Sequence, residues 1–193
     1  MTDYFALLEQ PRKPWLDAEQ LKQKYHGLVR VIHPDRQSTE DDADDAELAR
    51  INEAYRILAD PKLRLHHLLS LEGVSPSTAG QPIPDRLADL FLEISPLLPE
   101  IDRLVGEAKA AQSALSKSLL EADIVEKRNR VNALLDRVTD LHQNALEELR
   151  EVDEMWVNKT GKSSGQLESL YHQLAYLTRW KDLLEERCFQ LSI

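Results

Sequence analysis

Lys22, His26 and Arg30 recur at four-residue steps, and His33, Pro34 and Asp35 follow directly. With Asp17 as N-cap, the stretch to Ile32 reads as an amphipathic helix whose apolar side is Leu21, Tyr25, Leu28, Val29 and Ile32. On a helical wheel Lys22, His26, Arg30 and His33 then fall within about 80° of one another and clear of that side, while Lys24 points elsewhere. Pro34 stops the helix and biases His33 toward extended backbone. Asp35 is therefore expected on a loop at the end of a basic ribbon. Acid–base catalysis with His33 would need a nucleophile, an oxyanion donor and an enclosed pocket, and the sequence supplies none of them. Docking needs only what is there: the ribbon suits an acidic partner surface, and the carboxylate can take a bidentate hydrogen bond from a partner arginine. The plainer alternative is a routine helix stop in which His33 complements the C-terminal end of the helix dipole.

Other chemically suggestive residues carry less. Thr160 to Gly165, TGKSSG, echo the end of a phosphate-binding loop, but that loop needs a glycine where Trp156 stands, so the stretch reads as a turn. His66 and His67 are adjacent, their side chains diverge by about 100° on a helix, and no carboxylate or third histidine has metal-ligand spacing. No metal and no cofactor is expected. Cys188 is the single cysteine, which excludes an internal disulfide and any thiolate-rich zinc or iron-sulfur site built from this chain alone. With 24 Lys and Arg against 34 Asp and Glu, the net charge of −10 argues against general binding to nucleic acid or to an anionic membrane face. A helical nucleic-acid binder using the Lys22 to Arg30 ribbon is the outlying alternative. The acidic run Glu40 to Glu47 reads as a solvated loop that favours the N-terminus of the next helix. No apolar run approaches the roughly 20 residues that cross a bilayer. Met1 to Leu8 lack the basic flank and apolar stretch of an export signal, so a cytoplasmic protein is expected.

The elements that must position these residues are helical almost throughout, since Gly and Pro are sparse inside the periodic stretches and β-branched alternation is nowhere sustained. A short helix over Tyr4 to Leu8 ends before Pro11 and Pro14. After the basic helix and its loop, a third helix carries Leu48, Ile51, Tyr55 and Leu58 and ends at Asp60-Pro61. A fourth runs from about Lys62 to Leu71 and is closed by Gly73. Residues 72 to 85, EGVSPSTAGQPIPD, have the composition of a linker. Beyond them one helical segment covers Arg86 to about Ser118, with an interruption at Ser95-Pro96 and Pro99. A second runs from about Glu121 to Val157. In it Val131, Leu134, Val138, Leu141, Ala145, Leu149, Val152 and Trp156 form an apolar seam, and Leu167, Leu170, Leu174, Leu177, Leu184, Cys188 and Leu191 form another in the last segment, broken by Lys181. Packing within the chain explains such seams more readily than coiled-coil dimerisation.

Short helix, basic helix, His-Pro-Asp, and then a helix reading ARINEAYRILADPKLR is an order that resembles the J-domain, the module by which J-proteins activate DnaK-type heat-shock ATPases. Ile51, Asn52, Ala54, Tyr55, Leu58, Asp60, Pro61 and Arg64 carry the likeness after the tripeptide. By position, the resemblance implies that Asp35, His33, Pro34, Lys22 and Arg30 contact the ATPase; His26 shares their ribbon. The glycine- and phenylalanine-rich stretch and cysteine repeats of general J-proteins are absent. Instead, DYFALLEQP at the start, DPKLRLHHLLSLEG, and a helical tail of about a hundred residues resemble the HscB type, called Jac-type in mitochondria, which delivers the iron-sulfur scaffold IscU to a dedicated ATPase.

In that family the scaffold docks on an apolar patch of the first and last bundle helices. The resemblance places it at Leu90, Phe91, Leu92 and Tyr176; an exposed anchor and a bundle core are both open to these residues. Ser95, Pro96 and Pro99 depart from the family pattern and are expected to bend or break the helix there. The whole is expected to be all-α: a J-domain (1–72) made of a helical hairpin with two short flanking helices, a linker (73–85), and an antiparallel three-helix client-binding bundle (86–193). It is read as an ATPase activator and client carrier, not an enzyme, and as a monomer or weak dimer. The partners implied are a DnaK/HscA-type ATPase and an IscU-like scaffold, with no nucleic acid and no membrane; a J-protein with an unrelated client is the alternative.

Overall fold

The computed structural model describes residues 2–32, 42–74, 76, 83–157 and 164–192. Among them are seven α-helices: α1 (Tyr4–Leu7), α2 (Ala18–Ile32), α3 (Asp42–Ala59), α4 (Pro61–Leu71), α5 (Ala88–Ala110), α6 (Ala114–Val157) and α7 (Ser164–Gln190), with a single 3-10 turn over Asp85–Leu87 before α5. The chain packs as two compact units. One is Met1–Ser77 with Leu146–Tyr171, the other Thr78–Ala145 with His172–Ile193. α6 and α7 thus each contribute to both.

In the first unit, α2 lies against α3, and α3 also packs against α1 and α4. Phe5, Leu8, Leu21, Ile51, Ala54, Leu58, Leu65, Leu68 and Leu69 are buried, joined by Leu149, Val152, Leu167 and Leu170. The helix ends are set by side chains that the backbone needs. Asp3 accepts from the Phe5 and Ala6 N–H groups, Asp17 from Gln20 at 2.8 Å, and Asp60 from Leu63 at 3.0 Å. Pro61 stands at the first position of α4, where no N–H is required. At its other end Gly73, with φ of 78°, lets Val74 N–H reach the Leu69 carbonyl at 2.9 Å and its own N–H reach Ser70 at 3.2 Å. Glu9 closes α1 in the same way at φ of 51°, a conformation non-glycine residues seldom take; Gln10 N–H donates to Phe5 at 2.8 Å.

In the second unit, three helices run antiparallel. Glu93 and Glu100 of α5 pair with Arg137 and Lys127 of α6, so sequence rises along one helix as it falls along the other, and Cys188 of α7 donates to Asn132 of α6 at 3.2 Å. The seams foreseen in α6 and α7 face inward: Val131, Leu134, Val138, Leu174, Leu177 and Leu184 are all at most 2% exposed.

Two boundaries differ from expectation. α5 runs unbroken through Pro96 and Pro99. Both prolines stand on its exposed side, where ring and freed carbonyls meet water instead of a packed neighbour. α5 then ends at Ala110 and α6 begins at Ala114, so the break falls before Ser118 and Glu121. Ser113 makes it: its Oγ accepts the Ser116 N–H at 3.0 Å, and its carbonyl accepts from Lys117 at 3.1 Å.

Candidate functional site

The basic residues of α2 share one outward face. Lys22, His26 and Arg30 are exposed, and none pairs with a carboxylate among the described residues. Leu21 anchors the opposite face at 1% exposure, with Tyr25, Leu28, Val29 and Ile32 half-buried. Tyr25 fixes the helix on α3: its ring stacks on Tyr55 at 4.3 Å, and its hydroxyl donates to Asn52 Oδ1 at 2.8 Å. His26 lies beside the Tyr25 ring, 5.2 Å between centroids. Lys24 is turned away and paired with Glu9, whose carboxyl is held below its ordinary range by that ammonium. His33, Pro34 and Asp35 lie outside the described residues.

The sequence reading named Arg64 only for the family likeness and Trp156 only as a seam residue, and did not name Asp153; all three hold the α1–α2 connection. Arg64, only 3% exposed, donates from Nε to the Pro14 carbonyl at 2.8 Å and from Nη1 to the Leu58 carbonyl at 2.5 Å. Asp153 of α6 accepts from the Trp15 N–H at 3.0 Å and from Lys13 at 3.3 Å. Trp156 Nε1 donates to the Arg12 carbonyl at 3.2 Å, and the Arg150 guanidinium sits 4.2 Å over the Trp15 ring. Asp153 had one legible sign, a carboxylate directly after a seam residue, but its partners are about 140 positions away.

His66 and His67 have separate uses. His67 Nε2 accepts the Tyr4 N–H at 3.1 Å, between the Tyr4 and Phe5 rings, and burial pushes its pKa down. His66 is exposed, 5.6 Å from the Tyr171 ring.

Of the residues assigned to the client patch, Leu90 is 2% exposed and belongs to the core, which corrects the expectation for it: it faces inward with Ile94, Leu97 and Ile101. Phe91 and Leu92 are 37% and 67% exposed. Tyr176 is half-buried, its ring 5.6 Å from Trp180. Among the described residues, no helix is long and apolar enough to cross a membrane, and no group of three His, Cys, Asp or Glu is arranged to hold a metal.

A basic face on the second helix, packed by Tyr25 on Asn52 and Tyr55 of the third, defines a J-domain, and the DnaJ domain family matches residues 3–67. Co-chaperone protein HscB of Proteus mirabilis is 33% identical over 87 residues, covering 43% of this chain and 50% of that protein. The HscB homolog of Bordetella avium is 30% identical over 146 residues, 74% of this chain and 82% of that one. The human iron-sulfur cluster co-chaperone HscB is 28% identical over 155 residues, 78% of this chain and 61% of the human protein. The match therefore spans half the length of the Proteus relative. In fold, the solved chaperone HscB from Vibrio cholerae superposes with a TM-score of 0.62 at 21% identity, covering 98% of this chain and 99% of that one. The chain belongs to the HscB family of J-domain co-chaperones.

Proposed function

We propose that this chain stimulates a DnaK/HscA-type heat-shock ATPase through His33, Pro34 and Asp35, and delivers an IscU-like scaffold protein to it for iron-sulfur cluster assembly or transfer. The observation that carries the reading is the face of Lys22, His26 and Arg30, exposed and free of carboxylates among the described residues, leading directly into the tripeptide. The name of the human relative, an iron-sulfur cluster co-chaperone, supports the client class. On this reading residues 1–72 engage the ATPase and 86–193 carry the client, joined by 73–85. Phe91, Leu92 and Tyr176 form the client patch. The chain makes no covalent bond itself. Holding both partners raises the client's effective concentration at the ATPase, and the Asp35 contact favours the ATPase's hydrolysis-competent state, a population shift in the partner.

Asp35→Asn tests the first half. Its helical circular dichroism and melting temperature should match the parent chain while stimulation of the purified ATPase disappears; full stimulation by this variant sinks the docking role. Phe91→Ala with Tyr176→Ala tests the second half by scaffold affinity, which should fall while client-free ATPase stimulation holds. The runner-up is a J-domain protein with an unrelated client, and the prolines on the outward side of α5 favour it. A pull-down that retains the ATPase and no scaffold selects that reading.

A further inference from the structure

α7 stops short of its neighbours in the second unit. Cys188 lies against Asn132 of α6, α7 ends soon after at Gln190, and the Ser192 hydroxyl closes it by donating to the Cys188 carbonyl at 3.0 Å. α6 starts much earlier, at Ala114, and Glu100 of α5 pairs with its Lys127. The first turns of α6, about 24 Å of helix, therefore run beside the end of α5 with no third helix over them. A trough of about 520 Å³ lies there. Leu191, 1% exposed, forms its floor, with Ala108 of α5 and Ala114, Leu120, Ile124 and Val125 of α6 as walls. That volume falls within the roughly 300–1,000 Å³ of small-molecule sites.

Charge decides what suits it. Lys117, Glu121, Ile124 and Arg128 stand at i, i+4, i+7 and i+11, one stripe of α6 that faces the trough. None of the three ionisable groups forms an ion pair among the described residues. Two cations against one carboxylate leave the lining with a single positive charge. A monoanion neutralises it, whereas a monocation finds only Glu121, set between two cations that repel it. The surrounding charges do not reverse that sign: Glu107 meets Arg103 at 3.7 Å, Asp123 and Glu126 stand about 140–160° round α6 from Glu121, and Lys109 is exposed beside Ala108.

We propose that the trough binds a free single-chain amphiphilic carboxylate. Its hydrocarbon chain lies on Leu120, Ile124, Val125 and Leu191. Arg128, half-buried and so less screened than the exposed Lys117, takes the carboxylate on its fork. Lys117 attracts it from the other end. The site does not depend on the client reading: Ala108 stands about 24 Å along α5 from Leu92, so both can be filled at once.

Decanoate below its micellar concentration, titrated into the full chain labelled with nitrogen-15, tests this. Saturable shifts are expected at the amides of Leu120, Ile124, Val125 and Leu191, with decylammonium bound about tenfold more weakly or not at all. Arg128→Gln should weaken decanoate about tenfold at an unchanged melting temperature. Glu121→Gln should tighten it, and Leu119→Ala, exposed on another side of α6, should do neither. Equal binding of decanoate and decylammonium, shifts that never saturate, or full affinity in Arg128→Gln overturns the proposal. The same amides shifting on raising the protein concentration alone would make the trough a contact between copies of the chain and overturn it too. So would a chain that floats with phosphatidylglycerol vesicles and ignores free decanoate.

Discussion

Arg64 Nε donates to the carbonyl of Pro14 across 50 positions of sequence, 2.8 Å apart and out of solvent. Together with the bond from Nη1 to Leu58 it ties the α1–α2 connection to the end of α3, and among the described residues the cation has no carboxylate in direct contact. Burial lowers its pKa to about 10, opposed by the charges of Asp60 and Asp153, so it stays cationic at neutral pH. A guanidinium suits the place because its fork reaches two acceptors at once.

Replacing Arg64 by leucine strips donors from two carbonyls that water reaches poorly, and the loss should be about 3 kcal/mol of unfolding free energy. Lysine should rescue little, since one ammonium cannot span both acceptors. Urea unfolding followed by tryptophan fluorescence checks it; a midpoint that does not move would mean the two carbonyls find other donors.

His67 gives the first unit a pH dependence. Its Nε2 can accept the Tyr4 N–H only when unprotonated. Burial lowers its pKa, with Asp3 acting in the opposite direction and His66 and Arg12 adding to the fall. The folded state therefore binds fewer protons than the unfolded state at pH values just below the unfolded pKa of about 6.5, so stability is full above that pH and drains as pH falls through the lowered folded value. His67→Gln keeps an acceptor for Tyr4 and cannot titrate. Melting temperatures between pH 7.5 and pH 5, on the order of what brackets a histidine, should fall more steeply for the parent chain than for this variant; parallel curves would show that another group dominates.

Ser113 is the start signal of α6, with its Oγ on the Ser116 N–H and a second contact between the two hydroxyls at 2.8 Å. Ser113→Ala should cost about 1 kcal/mol, and Ser113→Asp should recover it because aspartate is also a good cap. Amide hydrogen exchange in the first turn of α6 reports this directly: faster exchange in the alanine variant is expected, and unchanged protection would refute the cap.

What sequence could tell follows from what each feature depends on. α2 was readable because its signals are local: Asp17 caps it, the apolar side repeats, and its charges sit at four-residue steps. The seam of α7 was readable for the same reason. The break between α5 and α6 was placed between Ser118 and Glu121 because Ser113, which caps α6, does not stand out from Ser116 and Ser118 in a linear reading, and the prolines at 96 and 99 were read as an interruption that α5 does not have. In three dimensions those prolines lie on a side where a missing N–H costs little. Leu90 was placed in the client patch by its position in the family-like stretch LFLE, Leu90 to Glu93, though 100° of rotation per residue sets it among the core leucines. Arg64, Asp153 and His67 have partners from 50 to about 140 positions away, and no periodicity points across such a distance.

The exposed face of α2 should behave as an electrostatic docking surface. Lys22 and Arg30 stand outward on the same side, while Lys24 is paired with Glu9 on another. Exposed charges at an interface rim contribute on the order of 0.2–1 kcal/mol each, mostly through association rate, and are screened by salt. Lys22→Ala with Arg30→Ala should therefore raise the concentration needed for half-maximal ATPase stimulation by about tenfold at low ionic strength, with a gap that narrows as salt rises. Lys24→Ala should leave that concentration nearly unchanged. Steady-state hydrolysis by the purified ATPase, measured over a salt series with all three chains, separates the outcomes. If Lys24→Ala weakened stimulation as much as the double variant, charge count would matter and the orientation of the face would not.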